Sequence, residues 1–87
     1  MNKEEFKRLE KGKEIINNIG CIRSTIEIVE NLLSESDIKE GMIVVRDGLN
    51  STRVPLPSSE LCGTLLKVVY HALKHNVEEL EKQFEEL

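Results

Sequence analysis

The sequence predicts a mainly α protein of the order helix, β-hairpin, helix, with the helices folded back as an antiparallel pair that joins a second copy in a dimeric or higher helical bundle. Three observations carry this. Apolar residues recur every three or four positions over residues 15–33 and again over 62–87, the repeat of one helical face. Between these patterns, residues 42–57 read Met-Ile-Val-Val-Arg-Asp-Gly-Leu-Asn-Ser-Thr-Arg-Val-Pro-Leu-Pro, β-type residues on either side of turn residues. Each helix also carries a second apolar stripe, confined to the half nearest that central stretch. A single pair of helices leaves this stripe uncovered.

The first helix is expected over residues 3–36. Asn2 caps it and Glu5, three residues on, completes a capping box. Its seam is Ile15, Ile19, Ile22, Ile26, Val29 and Leu33, alternating steps of four and three as a heptad requires. Its second stripe is Cys21, Ile28 and Leu32, with Thr25 between them. Gly12 and Gly20 each cost about 1 kcal/mol against Ala; Gly20, beside the seam, either admits another helix closely or is a tolerated defect. Ser34-Glu35-Ser36-Asp37 weakens the pattern, and Gly41 is expected to stop the helix in the left-handed conformation.

The hairpin is expected over residues 42–56. A two-residue Asp47-Gly48 turn sets Val45 opposite Asn50 and Ile43 opposite Thr52, a register that collects no apolar face. A four-residue loop, Gly48 to Ser51, sets Val45 opposite Val54 and Ile43 opposite Leu56, with Arg46 opposite Arg53 on the other side, and is preferred because register follows the buried face. Pro55 lacks a donor and belongs on an edge or at a strand end. The second helix is expected over 58–86. Ser58 and Ser59 are good caps, and Glu60 lies in the first turn, where the helix dipole favours an anion. Its seam is Cys62, Leu66, Val69, Leu73, Val77, Leu80, Phe84 and Leu87; its second stripe is Leu61, Leu65, Val68 and Ala72.

Cys21, Ile28, Leu32, Leu61, Leu65 and Val68 are therefore the expected oligomer interface, unless the hairpin folds over them within one chain. Charge favours the antiparallel arrangement. Lys3, Lys7, Arg8, Lys11 and Lys13 would lie beside Glu78, Glu79, Glu81, Glu85 and Glu86.

Eighty-seven residues suit one domain, with three aromatic residues and an aliphatic core. The formal charge of −4 argues against a duplex nucleic-acid binder, which would show a basic face. No apolar run approaches the ~20 residues that a bilayer demands, and Met-Asn-Lys-Glu-Glu does not open a signal peptide. A cytoplasmic protein with reduced thiols is expected: Cys21 and Cys62 would sit about 18 Å out of step along the antiparallel helices, beyond disulfide reach. Asn50-Ser51-Thr52 matches a glycosylation sequon, which has no meaning without secretion.

Few residues suggest chemistry. His71 and His75, four apart on one helical face, suit a metal and Cys21 could approach them, but two imidazoles alone make no site and no metal or cofactor is expected. No Gly-rich elbow, nucleotide loop or paired carboxylates in a cleft accompany the serines and cysteines, so no catalytic residue is assigned. Arg46 and Arg53 are the most informative pair. Directly opposed guanidinium groups repel, and are offset either by carboxylates such as Glu40, Asp47 or Glu60 of the same or a neighbouring chain, or by a bound phosphate or carboxylate. Asn50, Ser51 and Thr52 would add neutral donors to such an anion site. A solvated outer face with internal ion pairs is the plainer alternative.

The order long helix, hairpin, long helix resembles β-type prefoldin chaperone subunits, which implies coiled-coil arms and a hairpin used for assembly. Val54-Pro55-Leu56-Pro57 before a helix ending Glu-Glu-Leu-Glu-Lys-Gln-Phe-Glu-Glu-Leu resembles small phage and prophage accessory proteins. That resemblance implies an anti-defence role, by contact with a host protein or by sequestering a nucleotide signal as an oligomeric sponge. Neither carries a residue role onto this chain. The expectation is a non-enzymatic oligomeric binding protein that inhibits a host protein, with nucleotide sequestration through the hairpin arginines and a prefoldin-like chaperone as alternatives.

Overall fold

A computed structural model of the chain describes residues 2–35 and 37–87. The order is α1 (Lys3–Glu35), β1 (Gly41–Asp47), β2 (Asn50–Leu56) and α2 (Ser59–Glu85). At the start of α1 the Glu5 amide donates to Asn2 Oδ1 at 2.8 Å, and at the start of α2 the Leu61 amide donates to Ser58 Oγ at 3.1 Å. Each cap satisfies an amide that the first helical turn leaves without a partner. The expected end of α1 at residue 36 lies outside the described residues.

The helices pack antiparallel along the expected seam. Ile15, Ile26 and Val29 of α1 and Cys62 and Val77 of α2 are buried, and Ile19, Ile22, Leu33, Leu66, Val69, Leu73 and Leu80 are half-buried between them. Toward the chain ends the seam thins, leaving Phe84 and Leu87 largely exposed. Gly12 is the buried glycine of α1: a Cβ there would sit 3.5 Å from Phe84 and 3.6 Å from Leu87. Gly20, read either as a point of close helix approach or as a tolerated defect, faces open space within the chain. Between the helices Arg23 donates to Glu81 at 2.6 Å. The expected pairing of residues 3–13 with the terminal glutamates is replaced, among the described residues, by this single bridge together with Lys11 to Glu14 and Lys82 to Glu79 within their own helices.

The hairpin register differs from both expected ones. Ile43 pairs with Val54, Val44 with Arg53, Val45 with Thr52, Arg46 with Ser51 and Asp47 with Asn50, around a two-residue Gly48-Leu49 turn. Gly48 has φ +61°, and among the described residues no other residue type has positive φ, the signature of a turn with glycine at its first central position. An Asp47-Gly48 turn of the favoured type would have forced Asp47 into the left-handed region as well. The four-residue loop is equally displaced: the true register is two residues away from it, so Arg46 and Arg53 are not opposed. Gly41, expected to stop α1, instead opens β1, where its missing side chain admits Cys62. A Cβ there would lie 3.1 Å from the Cys62 sulfur, whose thiol donates at 3.7 Å to the Leu56 carbonyl. This contact ties the base of the hairpin to α2.

The molecule is elongated and thin. Its Cα radius of gyration is 17.2 Å and its principal extents are 55, 32 and 15 Å, whereas a compact domain of this length has a radius of about 12 Å. Its accessible surface, 7271 Å², exceeds by about 2,000 Å² the roughly 5,200 Å² expected of a folded monomer of this mass.

Candidate binding surfaces

A two-residue change of register alters every cross-strand partner but keeps every side chain on its face. Ile43, Val45, Val54 and Leu56 therefore share one face, as expected, and Arg46 and Arg53 share the other. The two arginines are diagonal neighbours, at a spacing of about 7–8 Å between backbone positions, rather than the 4.5–5.5 Å of opposed residues. That spacing relieves the repulsion from which the anion site was argued. Ser51 lies on the arginine face, opposite Arg46, but Asn50 and Thr52 fall on the apolar face and are removed from the expected donor set. Both arginines are exposed, and among the described residues neither makes an ion pair with Glu40, Asp47, Glu60 or any other carboxylate. The outer face of the hairpin is thus a small, exposed, basic surface with Val44 and Met42 beside the arginines.

The apolar stripe forms the second surface. Ile28 and Val68 are each 60% exposed, Leu61 is about half exposed, and Cys21 and Leu32 are exposed. Leu65, expected with them, is half-buried. The hairpin does not lie over this stripe; it meets the helices only near its base. There an open cleft of about 620 Å³ runs between Leu32 and Leu65 of the helices and Ile43 and Leu56 of the hairpin. Beyond the cleft the hairpin projects with Val45 52% and Val54 44% exposed on its apolar side.

Ile38 and Met42, which also line the cleft, were not marked by the sequence because they lie outside any periodic run. Phe6, Leu9 and Ile16 are exposed near the start of α1, where the seam has no wide partner on α2.

His71 and His75 are exposed, and no three His, Cys, Asp or Glu side chains gather as a metal would require among the described residues. Cys21 is not brought to them. His71 instead stacks edge-on against Tyr70, with ring centroids 5.5 Å apart. Lys74 Nζ lies over the Tyr70 ring, 4.7 Å from its centroid. Lys74 holds its proton more tightly than an ordinary lysine, first through its hydrogen bond to the Tyr70 side chain, then through that group's charge, with Glu30 and Glu78 adding smaller contributions.

Both cysteines are free thiols, Cys21 exposed and Cys62 buried. No described helix is long and apolar enough to cross a membrane. Comparison of the chain with protein-family models, with curated proteins and with solved structures finds no match in any of the three.

Proposed function

We propose that the protein is a non-enzymatic, self-associating binding protein that acts by contact with another protein, as small phage and prophage accessory inhibitors do, and that the outer face of its hairpin is the contact surface. One observation carries this reading: Arg46 and Arg53 share an exposed strand face and have no carboxylate partner among the described residues. Guanidinium groups in this state suit the carboxylates of an acidic protein surface, to which each donates a planar fork. The exposure of the face favours a macromolecule, because small-ligand sites are concave and enclose most of their ligand. The clefts at the hairpin base and along the helices include neither arginine.

A sponge for a multiply charged nucleotide is the second reading, and the diagonal arginine spacing supports it, provided two hairpins of an oligomer enclose the ligand between them. The experiment separates the two. Wild-type protein and the Arg46→Ala/Arg53→Ala variant are used to capture partners from cell lysate, and each heat-denatured protein is analysed for released nucleotide by mass spectrometry. A stoichiometric protein partner held by the wild type and lost by the variant supports inhibition by contact. Released nucleotide, with calorimetric binding of cyclic dinucleotides that the variant lacks, supports the sponge. If neither is seen, the arginine face is solvated surface and both readings fail.

A further inference from the structure

The stripe and the apolar side of the hairpin are two exposed surfaces that face a common cleft. Leu32 and Leu65 belong to the stripe, Ile43 and Leu56 to the hairpin, and all four line the space between them. The hairpin therefore stands over the same side of the helix pair as the stripe, like the upper half of an open jaw. Within one chain the jaw does not shut: Val45 and Val54 beyond the cleft and Ile28 and Val68 along the helices remain about half exposed or more. A lone two-stranded hairpin needs an apolar surface to pack on, and this one has such a surface only at its base.

We infer that the jaw is filled by the same jaw of a second copy, so that each hairpin crosses to lie with its apolar side on the partner's stripe; the inference rests on the self-association proposed above and specifies its geometry. Three further observations support it. A simple meeting of two stripes would bring each hairpin against the oncoming helices, because hairpin and stripe occupy the same side. Exchange removes that obstruction and satisfies both surfaces by one two-fold operation, in which each patch meets its complement twice. The single chain exposes about 2,000 Å² more than a compact monomer of its mass, and covering that excess on both chains would take an interface of about 4,000 Å², within the range of obligate homodimers. Finally, the stripe is prepared for a dry contact: the Thr25 hydroxyl, its polar group, already donates to the Cys21 carbonyl at 3.1 Å. Exchange also leaves the arginine faces turned outward, where the proposed function requires them.

The test is cross-linking between differently labelled chains. Val45→Cys chains and Val68→Cys chains, each in a Cys21→Ser background, are unfolded, mixed, refolded and treated with a short bismaleimide, with mass followed by sedimentation. Thr52→Cys, on the same hairpin side and opposite Val45, replaces Val45→Cys if that variant does not fold. Exchange predicts an adduct of one hairpin-labelled with one helix-labelled chain, in excess of any adduct formed by either variant alone. A double variant that cross-links only within its own chain would show the hairpin closing over its own stripe and would overturn the inference. An oligomer in which only helix-labelled chains join one another would also overturn it, while leaving self-association intact. A monomer at every concentration would remove both.

Discussion

The seam and the stripe of each helix are made from the same residue types, yet one is buried and the other is not. Ile15 is 2% exposed and Ile28 is 60% exposed, thirteen residues apart on one helix. The difference is one of partners. Each helix offers two apolar faces near the hairpin, and the other helix can cover only one. A helix wider in apolar surface than the helix it packs against leaves one face for a further contact, the one proposed above. The alternative, a hairpin folded down as a lid, is not the arrangement the chain adopts.

The contrast can be broken most forcefully at the seam. Ile15→Ala should destabilise the protein by about 2–5 kcal/mol, the usual result of deleting a fully buried aliphatic group, and the urea midpoint should fall equally at low and high protein concentration if the helix pair is the folding unit. Ile28→Ala should act differently. In an isolated chain so exposed a position would change stability by less than about 0.5 kcal/mol; in a self-associated one, whose thermal midpoint already depends on protein concentration, it should lower that midpoint by weakening association. Equal effects at the two positions would abolish the distinction between them.

Glycine substitutions sharpen the same comparison at smaller magnitude. Gly20→Ala should raise stability by about 1 kcal/mol, since the new methyl group meets nothing within 4 Å and alanine is the better helix former. If Gly20 were instead the point at which a second copy's helix approaches, the substitution would weaken association, which sedimentation would reveal. Gly48→Ala should lower stability by roughly 1–2 kcal/mol, because an L-residue is strained in the left-handed conformation that the turn requires; calorimetry of the two variants side by side reads both.

Smaller effects are expected at the polar groups. Glu81→Gln should cost about 0.2–1 kcal/mol, as exposed ion pairs do, despite the short 2.6 Å contact to Arg23. Lys74 should have the least influence. Its proton affinity is raised in the folded state, so the small stabilisation it gives is complete below the ordinary lysine range and disappears as pH rises through the raised value. The small stability difference between wild type and Tyr70→Phe should therefore be fully present near neutrality and vanish only at strongly basic pH, which alkaline denaturation of the two proteins reads.

Legibility in the sequence follows the length over which each pattern repeats. The six seam positions of α1 and the first six of α2 are buried or half-buried as their spacing implies, because many repeats of one period leave a single helical face to choose. The hairpin faces were legible for the same reason: alternation assigns Ile43, Val45, Val54 and Leu56 to one side. Cross-strand partners were not, since registers two residues apart keep the faces and differ only in the turn. The choice rested on Gly48, whose conformational freedom permits the tight Gly48-Leu49 turn, and apolar pairing alone pointed to a longer loop. Asn50 left the candidate anion site when the loop shortened, Thr52 because alternation from Val54 sets it on the apolar face in either register, and Ser51 stayed. The cleft was hidden for another reason, as Ile38 and Met42 come together with Leu32 and Leu65 only in three dimensions.

The claim on which the rest depends is that another copy of this chain covers the stripe. Sedimentation equilibrium of the wild type and of Val68→Glu, with helix content followed by circular dichroism, tests it most directly. Self-association through the stripe predicts a wild-type mass at least twice the 9.9 kDa of the chain down to micromolar concentration, and a Val68→Glu protein shifted toward the single-chain mass with its helices retained. A wild type that sediments as one chain throughout, with the same stability as Val68→Glu, would contradict it.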